Sequence, residues 1–365
     1  MAAAAAPTFR QLAAGSGYTC GLDAAGVISC WGTNGLGQLG DDSRESHATP
    51  RPIFGARRYR QIAGGGGHVC AVGLNDRAYC WGWNGTGQLG DGTRADRLRP
   101  TAVLGGLTFR RLAAGAYHTC GIAMDDRMYC WGHNKQGQLG DATAEPFRLQ
   151  PVAVTGGHLF RVVTAGLSHT CGIDLDARAF CWGHGKSGEL GNGALQIWRT
   201  PRAVSGGHLF RDISAGLAAQ SGDYHFTCAA ATDNRAYCWG GNIDGQLGDG
   251  TTTRRLQPAL VKGGLRLATV RAGMGYACGV TTAGAAWCWG RDDAAQLGNG
   301  GPLTGSASRS TPVAVSGGLT FQAIRTGWFH ACALTTDDRA YCWGSGMLGN
   351  GTETGSSSPV PVGGG

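Results

Sequence analysis

Paired cysteines are the residues of this chain whose type and spacing could do chemistry. All 14 cysteines fall into pairs ten positions apart, beginning with Cys20–Cys30 and Cys70–Cys80. One turn separates the partners, so a hairpin centred on Ala25 places Cys20 opposite Cys30. Opposed residues on antiparallel strands have Cα atoms about 4.5–5.5 Å apart, a separation that a disulfide bond accepts. The spacing therefore predicts seven disulfide bonds, one in each hairpin. The other five are Cys120–Cys130, Cys171–Cys181, Cys228–Cys238, Cys278–Cys288 and Cys332–Cys342.

Metal binding is the alternative use of these thiols. His68, Cys70 and Cys80 could share one face of a sheet, because alternate strand residues do, and they would form a zinc-like ligand set. The position of His68 holds tyrosine in two other units and Phe226 in another, however, while the cysteines stay. We therefore expect no metal and no cofactor. Disulfide bonds persist outside the reducing cytosol, so the protein is expected to be secreted, periplasmic or on the cell surface.

The cysteine pairs belong to a longer repeat. The triplet CWG begins at Cys30, Cys80, Cys130, Cys181, Cys238, Cys288 and Cys342. Seven units of about 50 residues therefore fill residues 1–365 as a single domain. Each unit contains four short strand-like stretches separated by Gly, Asp and Asn turns. This period and strand number are typical of a β-propeller blade, which predicts an all-β, seven-bladed propeller of four-stranded blades.

The two ends of the chain are expected to meet. The N-terminal stretch PTFRQLAAG lacks a preceding Pro-Val run, and the C-terminal stretch SSSPVPVGGG supplies one. We expect the run around Val360 and Val362 to pair beside the N-terminal strand and complete the first blade. The alternative is that both ends are loose tails.

The Gly-x-x-His segment, the Trp-Gly pair and the GQLG stretch resemble the regulator of chromosome condensation repeat family, whose members are seven-bladed propellers. The resemblance extends over all seven units and implies the propeller fold. Family functions include nucleotide exchange for a small GTPase, ultraviolet-B perception and inhibition of β-lactamase. Photoreception is not expected, because only GWFHA at 327–331 is similar to the photoreceptor segments and Phe329 replaces their arginine.

Residues that differ between the units are the candidates for binding. The tryptophan of each CWG is expected to pack between blades. The two residues before the histidine of Gly-x-x-His vary, and they should lie at a strand end on one face of the disc. Large groups there suggest a binding surface, and local packing beneath loops is the alternative. These candidates are Tyr117, Leu167, Met274, Trp328 and Phe329. Further candidates are Trp83, Trp198 and, at the end of an insertion in the fifth unit, Tyr224, His225 and Phe226.

Composition limits the classes of function. The net charge of +7 comes mainly from scattered arginines, so nucleic-acid binding is not expected. No apolar stretch reaches the roughly 18 residues of a membrane span. No nucleophile elbow, phosphate loop or HExxH motif occurs, and the four glutamates form no evident acid/base pair.

The sequence therefore predicts a non-enzymatic scaffold that binds a protein partner through one face of the propeller. Binding of a glycan or cell-surface polymer is the alternative, favoured if Trp83, Trp198 and Trp328 are exposed. An enzyme acting on polysaccharide through aspartates of the central channel stays open as a third possibility. The sequence does not indicate an oligomeric state.

Overall fold

The computed structural model describes residues 6–217, 224–305 and 307–363. Within these ranges the chain forms 28 strands and no helix. Consecutive strands build seven antiparallel sheets of four strands each. The first strands of neighbouring sheets contact one another around a central channel. The prediction of an all-β, seven-bladed propeller is therefore confirmed. No helix in the described ranges is long and apolar enough to cross a membrane.

In each blade the first strand lines the channel, and the second, third and fourth strands follow it outwards. The first strands are β1 (Gln11–Ala14), β5 (Tyr59–Gly64), β9 (Phe109–Ala114), β13 (Phe160–Ala165), β17 (Phe210–Ala215), β21 (Leu267–Ala272) and β25 (Phe321–Thr326). The second strands are β2 (Tyr18–Leu22), β6 (His68–Gly73), β10 (His118–Ala123), β14 (His169–Asp174), β18 (Phe226–Ala231), β22 (Tyr276–Thr281) and β26 (His330–Thr335). The third strands are β3 (Ile28–Gly32), β7 (Ala78–Gly82), β11 (Met128–His133), β15 (Ala179–Gly183), β19 (Ala236–Gly240), β23 (Ala286–Gly290) and β27 (Ala340–Gly344). The fourth strands are β4 (His47–Pro52), β8 (Arg97–Ala102), β12 (Phe147–Ala153), β16 (Trp198–Ala203), β20 (Arg255–Leu260), β24 (Arg309–Ala314) and β28 (Ser356–Pro361).

The cysteines join the second and third strands of every blade. Cys20 is directly opposite Cys30 in the register of β2 and β3, and the two are disulfide-bonded. The other six predicted pairs are bonded in the same way. The bonded Cα atoms lie 4.0–4.1 Å apart, slightly closer than the strand pairing predicts. The prediction of one disulfide per blade is confirmed.

The tryptophans and the disulfides form the cores between blades. Trp81 packs in one buried cluster with Cys20 and Cys30 of the preceding blade. Adjacent strand residues point to opposite faces, so a blade that turns its cysteines to one neighbour turns its tryptophan to the other. The seven CWG tryptophans are completely buried, as the sequence predicts. They are Trp31, Trp81, Trp131, Trp182, Trp239, Trp289 and Trp343.

The glycine of each CWG is required by a close approach of the backbone. Gly82 has a φ of +97°, and a Cβ atom there would lie 2.5 Å from the carbonyl oxygen of Gly67. A side chain would therefore push the third strand away from the turn that precedes the second strand. The glycine keeps these two segments in contact at one end of the blade.

The prediction that the C-terminal run completes the first blade is wrong. β28 pairs with β27 in the seventh blade, and the first blade consists of β1 to β4. The Pro-Val run of a unit is the outermost strand of the blade just built, so the first blade has its own fourth strand.

The ring closes instead through an ordinary contact between neighbouring blades. The amide of Phe9 donates to the carbonyl of Asp338 at 2.8 Å. The amide of Phe109 donates to Asp76 at the same distance, between the second and third blades. The seventh and first blades therefore meet as any other pair does.

Candidate functional site

One end of every blade carries two kinds of position that vary between units. They are the residues before the histidine position and the residue after Trp-Gly. The amide of Trp83, which follows Trp-Gly, donates to the carbonyl of Gly67 in the turn between the first two strands, at 2.8 Å. His133 and Tyr117 are joined in the same way at 2.9 Å, and the bond recurs in the other five blades. We call this end of the propeller the turn face.

Pairs of variable residues face each other across the junctions of the turn face. One member follows Trp-Gly, and the other precedes the histidine position in the next blade. Three pairs contain two large side chains: Trp83–Tyr117 with ring centroids 5.5 Å apart, His184–His225 at 4.7 Å, and Arg291–Phe329 with the guanidinium carbon 5.7 Å from the ring centroid. They occupy the second–third, fourth–fifth and sixth–seventh junctions. Each remaining junction has glycine or serine in at least one of the two positions.

The pair at the second–third junction extends into a small aromatic cluster. The ring of Tyr117 also lies 6.2 Å from that of His133. Trp83, Tyr117 and His133 are all half-buried, so the cluster is held in place and still reaches solvent. Burial lowers the pKa of His133, which favours the neutral imidazole.

The pair at the sixth–seventh junction is flanked by Trp328. This tryptophan is half-buried, and its indole Nε1 is buried without a hydrogen-bond partner. Arg291, which faces Phe329, donates from Nε to Asp293 at 2.8 Å. The structure therefore brings Trp328 and Phe329 together with a paired cation on the turn face.

Three of the predicted binding residues are packing residues instead. Leu167 is 8% exposed, Met274 is 6% exposed and Phe226 is completely buried. Phe226 begins β18, where its position is that of the repeat histidine, so its ring fills the place of the imidazole. Tyr224 is half-buried and His225 is 5% exposed. The preceding part of the insertion, 218–223, lies outside the described residues.

Trp198 lies away from the turn-face pairs, at the start of the outermost strand β16. The guanidinium carbon of Arg202 stands 3.9 Å from its ring centroid and covers one face of the indole. Trp83, Trp198 and Trp328 are all half-buried. The condition that would favour glycan binding, three exposed flat rings, is therefore not met.

Buried imidazole rings link the blades beneath the turn face. His68 Nε2 lies 2.8 Å from the hydroxyl of Thr119 in the next blade, and that hydroxyl donates to the carbonyl of Gln88. A hydroxyl has one hydrogen to give, so His68 donates from Nε2 and its Nδ1 is unprotonated. That Nδ1 is buried without a partner. This bond between blades recurs at His118–Thr170, His169–Thr227 and His330–Thr19.

The residue of the next blade that faces the histidine position depends on whether that position holds histidine or another aromatic residue. Every repeat histidine is followed, one blade later, by a threonine. Tyr18 is followed instead by Val69, and its hydroxyl donates to the carbonyl of His68 at 2.6 Å. Tyr276 and Phe226 are likewise followed by alanines. Alignment of the units one position beyond the histidine contains this signal, which our sequence analysis did not use.

The fourth–fifth junction departs most from the repeat. Ligand atoms of His169, Glu189 and His225 all lie within 4.8 Å of one another. Glu189 replaces the glutamine of GQLG, is completely buried and contacts Nδ1 of His184. Burial raises the pKa of Glu189, lowers that of His225 to about 4 and lowers that of His169 well below its usual value. The sequence analysis noted His225 but missed Glu189 and the meeting of the three.

The central channel contains a second charged group that sequence reasoning missed. The first strands enclose a cavity of about 230 Å³ whose lining includes Arg111, Arg271, Arg325 and Asp212. Asp212 is ion-paired with Arg271. Among the described lining residues Asp212 is the one carboxylate, so this channel does not hold the two carboxylates of a typical glycoside hydrolase.

Exposed apolar side chains lie at the opposite end of the blades. Leu74, Met124 and Leu175 occupy the turns between the second and third strands of three consecutive blades, and they are 64%, 55% and 51% exposed. The sequence analysis did not select them, because it considered only the turn-face positions. They provide a natural control surface for tests of the turn face.

Several arginines of the outer strands are ion-paired within the molecule. Arg97 Nε lies 2.7 Å from Asp91, and Arg99 is ion-paired with Asp42. Arg148 and Asp141 repeat the first of these pairs in the third blade, at 2.9 Å. Arg97, Arg99 and Arg148 therefore have carboxylate partners.

Comparisons with known proteins agree with this architecture. A model of the regulator of chromosome condensation (RCC1) repeat matches residues 26–72, 75–122, 125–173, 233–280 and 283–334. A second model of the same repeat matches 59–88, 109–138, 210–246 and 321–349. Residues 174–209, which contain His184 and Glu189, lie outside both sets of matched segments.

Individual proteins are similar over large parts of the chain. The ultraviolet-B receptor UVR8 of Arabidopsis thaliana is 32% identical over 225 residues, which are 60% of this chain and 50% of the receptor. This chain thus matches about half the length of that relative. Yeast RCC1 (Prp20), solved with Kap60, has a TM-score of 0.78 at 20% identity, with 93% and 84% of the two chains covered. The ectodomain of the Arabidopsis receptor kinase ACR4 has a TM-score of 0.58 at 20% identity, with 96% and 98% covered.

The two structural neighbours establish only the shared fold, since their identities are low. The repeat models, in contrast, match well over half of the residues, and each segment of the first model runs from the third strand of one blade to the second strand of the next. This chain belongs to the regulator of chromosome condensation (RCC1) repeat family.

Proposed function

We propose that the chain is a non-catalytic scaffold that binds a protein partner through its turn face. The observation that carries the proposal is the pair of large side chains at each of the second–third and sixth–seventh junctions. The residues shared by all units are buried in the cores between blades, whereas Trp83, Tyr117 and Phe329 vary between units and keep accessible surface. Trp, Tyr and Arg are the residues that most often dominate binding energy at protein interfaces.

The relatives support a binding role of this kind. Yeast RCC1 (Prp20), which shares the fold, was solved bound to the protein Kap60. What such proteins bind is a property of each one, because the fold carries sites of many kinds. The partner of this chain is therefore to be found through its own turn-face residues.

A paired set of variants tests the assignment. Trp83→Ser together with Tyr117→Ser removes the cluster of the second–third junction, and Met124→Ser together with Leu175→Ser changes the opposite face. Proteins of the native host that cross-link to the wild-type chain are identified by mass spectrometry, and their yield is compared between the variants. We expect at least a tenfold loss for the turn-face variant and none for the control.

The two results that would overturn the proposal are distinct. Loss of the partner only in the Met124/Leu175 variant would move the site to the opposite face. Capture of glycans, and of no protein, on an array by the wild type would replace the protein partner with a carbohydrate. Thermal unfolding of each variant shows whether it is folded.

We further propose that the chain is secreted or exposed at the cell surface. Seven disulfide bonds favour an oxidising environment, and the structural neighbour ACR4 is a receptor ectodomain. Alkylation of native material without reduction should leave all 14 cysteines unlabelled. Labelling of most of them would place the chain in a reducing compartment.

A further inference from the structure

We propose that the junction of the fourth and fifth blades is a binding site for a divalent transition-metal ion of the zinc type, with His169, Glu189 and His225 as ligands. His184, which contacts Glu189, is the supporting residue. Imidazole and carboxylate groups are ligands that zinc accepts, and two histidines with one glutamate form a known zinc set. This site is separate from the proposed protein-binding pairs of the second–third and sixth–seventh junctions.

The distances are close to those that coordination needs. The three ligand atoms lie within 4.8 Å of one another. Zinc binds nitrogen and oxygen at about 2.0–2.2 Å in tetrahedral sites, which puts ligand atoms about 3.3–3.5 Å apart. Side-chain shifts of about 1 Å would therefore bring all three atoms to a common ion.

The unsatisfied nitrogen atom that distinguishes this junction is Nδ1 of His225, because Nδ1 of His169 is buried without a partner in the same way as Nδ1 of His68 and His118. The hydroxyl of Thr227 donates to the carbonyl of Glu189 at 2.8 Å, so it must accept from His169 Nε2, 2.9 Å away. His169 Nδ1 is then unprotonated, and it is buried without a partner. Nδ1 of His225, a side chain that is 5% exposed, is also buried without a partner. A metal ion would be coordinated by such nitrogen lone pairs. A histidine fixed by a hydrogen bond from its other nitrogen is typical of metal ligands.

The buried carboxylate gives a second, independent indication. Glu189 is completely buried, and a buried carboxylate is costly unless it is paired. Its Oε2 accepts the amide of Ser187 at 2.9 Å, a bond that the glutamines of the other blades make through the same geometry. The glutamate therefore brings to the junction a carboxyl group that the backbone contact does not require. It already contacts Nδ1 of His184, and a bound cation would keep it ionised.

The third–fourth junction shows the same arrangement without the proposed ligand set. At the third–fourth junction the same four positions hold His118, His133, Gln138 and Ser168. Gln138 Nε2 there donates to His133 Nδ1, 2.7 Å away, so an amide replaces the carboxylate. Only two substitutions, at Gln138 and Ser168, separate this junction from the proposed ligand set.

Zinc titration of the full chain tests the site. Chelator-treated protein is titrated with Zn²⁺ by calorimetry and with Co²⁺ by absorption, because the intensity of the cobalt d–d bands reports low coordination number. We expect one tight site in the wild type. Glu189→Gln restores the residue of the other blades, keeps the fold and should weaken Zn²⁺ binding at least 100-fold. His184→Gln should weaken it about 10–100-fold, as supporting residues do.

Transplantation of the site is the matched control. Gln138→Glu together with Ser168→His rebuilds the set at the third–fourth junction and should raise the stoichiometry from one Zn²⁺ to two. Replacement of His158 and His208, which belong to no such cluster in the described residues, should leave the titration unchanged.

The proposal is overturned if Glu189→Gln, shown to be folded by its thermal transition, binds Zn²⁺ as tightly as the wild type. It is equally overturned if the His158 and His208 replacements remove the binding. In both cases the contact of Glu189 with His184 would be a structural ion pair only.

Discussion

The third–fourth and fourth–fifth junctions share a scaffold and differ in chemistry. Both have a repeat histidine that donates to a threonine of the next blade, at His118–Thr170 and His169–Thr227. Both have a histidine after Trp-Gly. The third–fourth junction completes the arrangement with neutral Gln138, whereas the fourth–fifth junction uses Glu189 and adds His225. A repeat protein can therefore keep one set of contacts between blades while one interface acquires ionisable groups, because the bond from the repeat histidine to the next blade forms whichever residues occupy the variable positions.

The largest expected effect concerns acid, which should open the junctions that rely on histidine. Burial lowers the pKa of His68 and of His118 to about 3, against about 6.5 in the unfolded chain. Between these values the unfolded chain binds protons that the folded chain excludes, so the free energy of unfolding falls as the pH drops from about 6.5 to 3. The loss is on the order of several kcal/mol per ring. Urea unfolding at a series of pH values measures it.

A control for this acid prediction copies a junction of the same chain that has tyrosine in place of histidine. The double variant His68→Tyr, Thr119→Val copies the pairing of Tyr18 with Val69, and tyrosine does not titrate in this range. In this variant the free energy of unfolding should depend less on pH, by the contribution of one buried imidazole. An unchanged slope between pH 6.5 and 3 would show that the buried imidazoles do not set the acid stability.

Next in size are the disulfide bonds, which should contribute equally at both junctions. Removal of Cys120–Cys130 or Cys171–Cys181 by paired Cys→Ser substitution opens a loop with the same separation of ten residues. The chain-entropy model gives a loss of about 2.5–3 kcal/mol for each. Urea unfolding in the presence of chelator compares them. A difference of more than about 1 kcal/mol would mean that the two junctions do not share a common scaffold.

A smaller effect is expected from the threonine that accepts the imidazole hydrogen. Thr170→Val should leave Nε2–H of His118 buried without a partner and cost about 2 kcal/mol. Thr227→Val should cost the same in metal-free protein, since it removes the same bond. Thermal unfolding of the two variants measures this. Equal stability of Thr170→Val and wild type would refute the proton assignment made from the hydroxyl.

The smallest effect is expected where the repeat is shortened. Trp81 donates from Nε1 to the main-chain carbonyl of Gln38 at 3.0 Å. Nε1 of Trp31, which faces the shortened seventh unit, has no partner. Trp81→Phe should therefore destabilise the protein by about 1 kcal/mol more than Trp31→Phe. The equilibrium unfolding of both variants gives the difference. An equal cost would mean that the indole hydrogen bond adds nothing to packing.

Much of the blade could be predicted from local patterns. The ten-residue spacing of Cys70 and Cys80 fixes a hairpin register, and residue alternation then sends Trp81 to the opposite face, as observed. The path of the C-terminal strand was mistaken, because the sequence has no mark that says where one blade ends. The sequence left open whether Leu167 and Met274 bind a partner or pack beneath loops, and both are buried. A position at a strand end is exposed or covered according to what the next blade places above it.

The sequence by itself determined the strands, their register within each blade and the seven disulfide bonds, because hydrogen bonding and side-chain alternation over about a dozen residues suffice for them. Only the tertiary structure decided which blades meet and what meets between them. His169 and His225 are 56 positions apart, in different units, and no local pattern relates them. They meet Glu189 because the fifth blade packs against the fourth. The composition of the junction is therefore decided by the packing of blades.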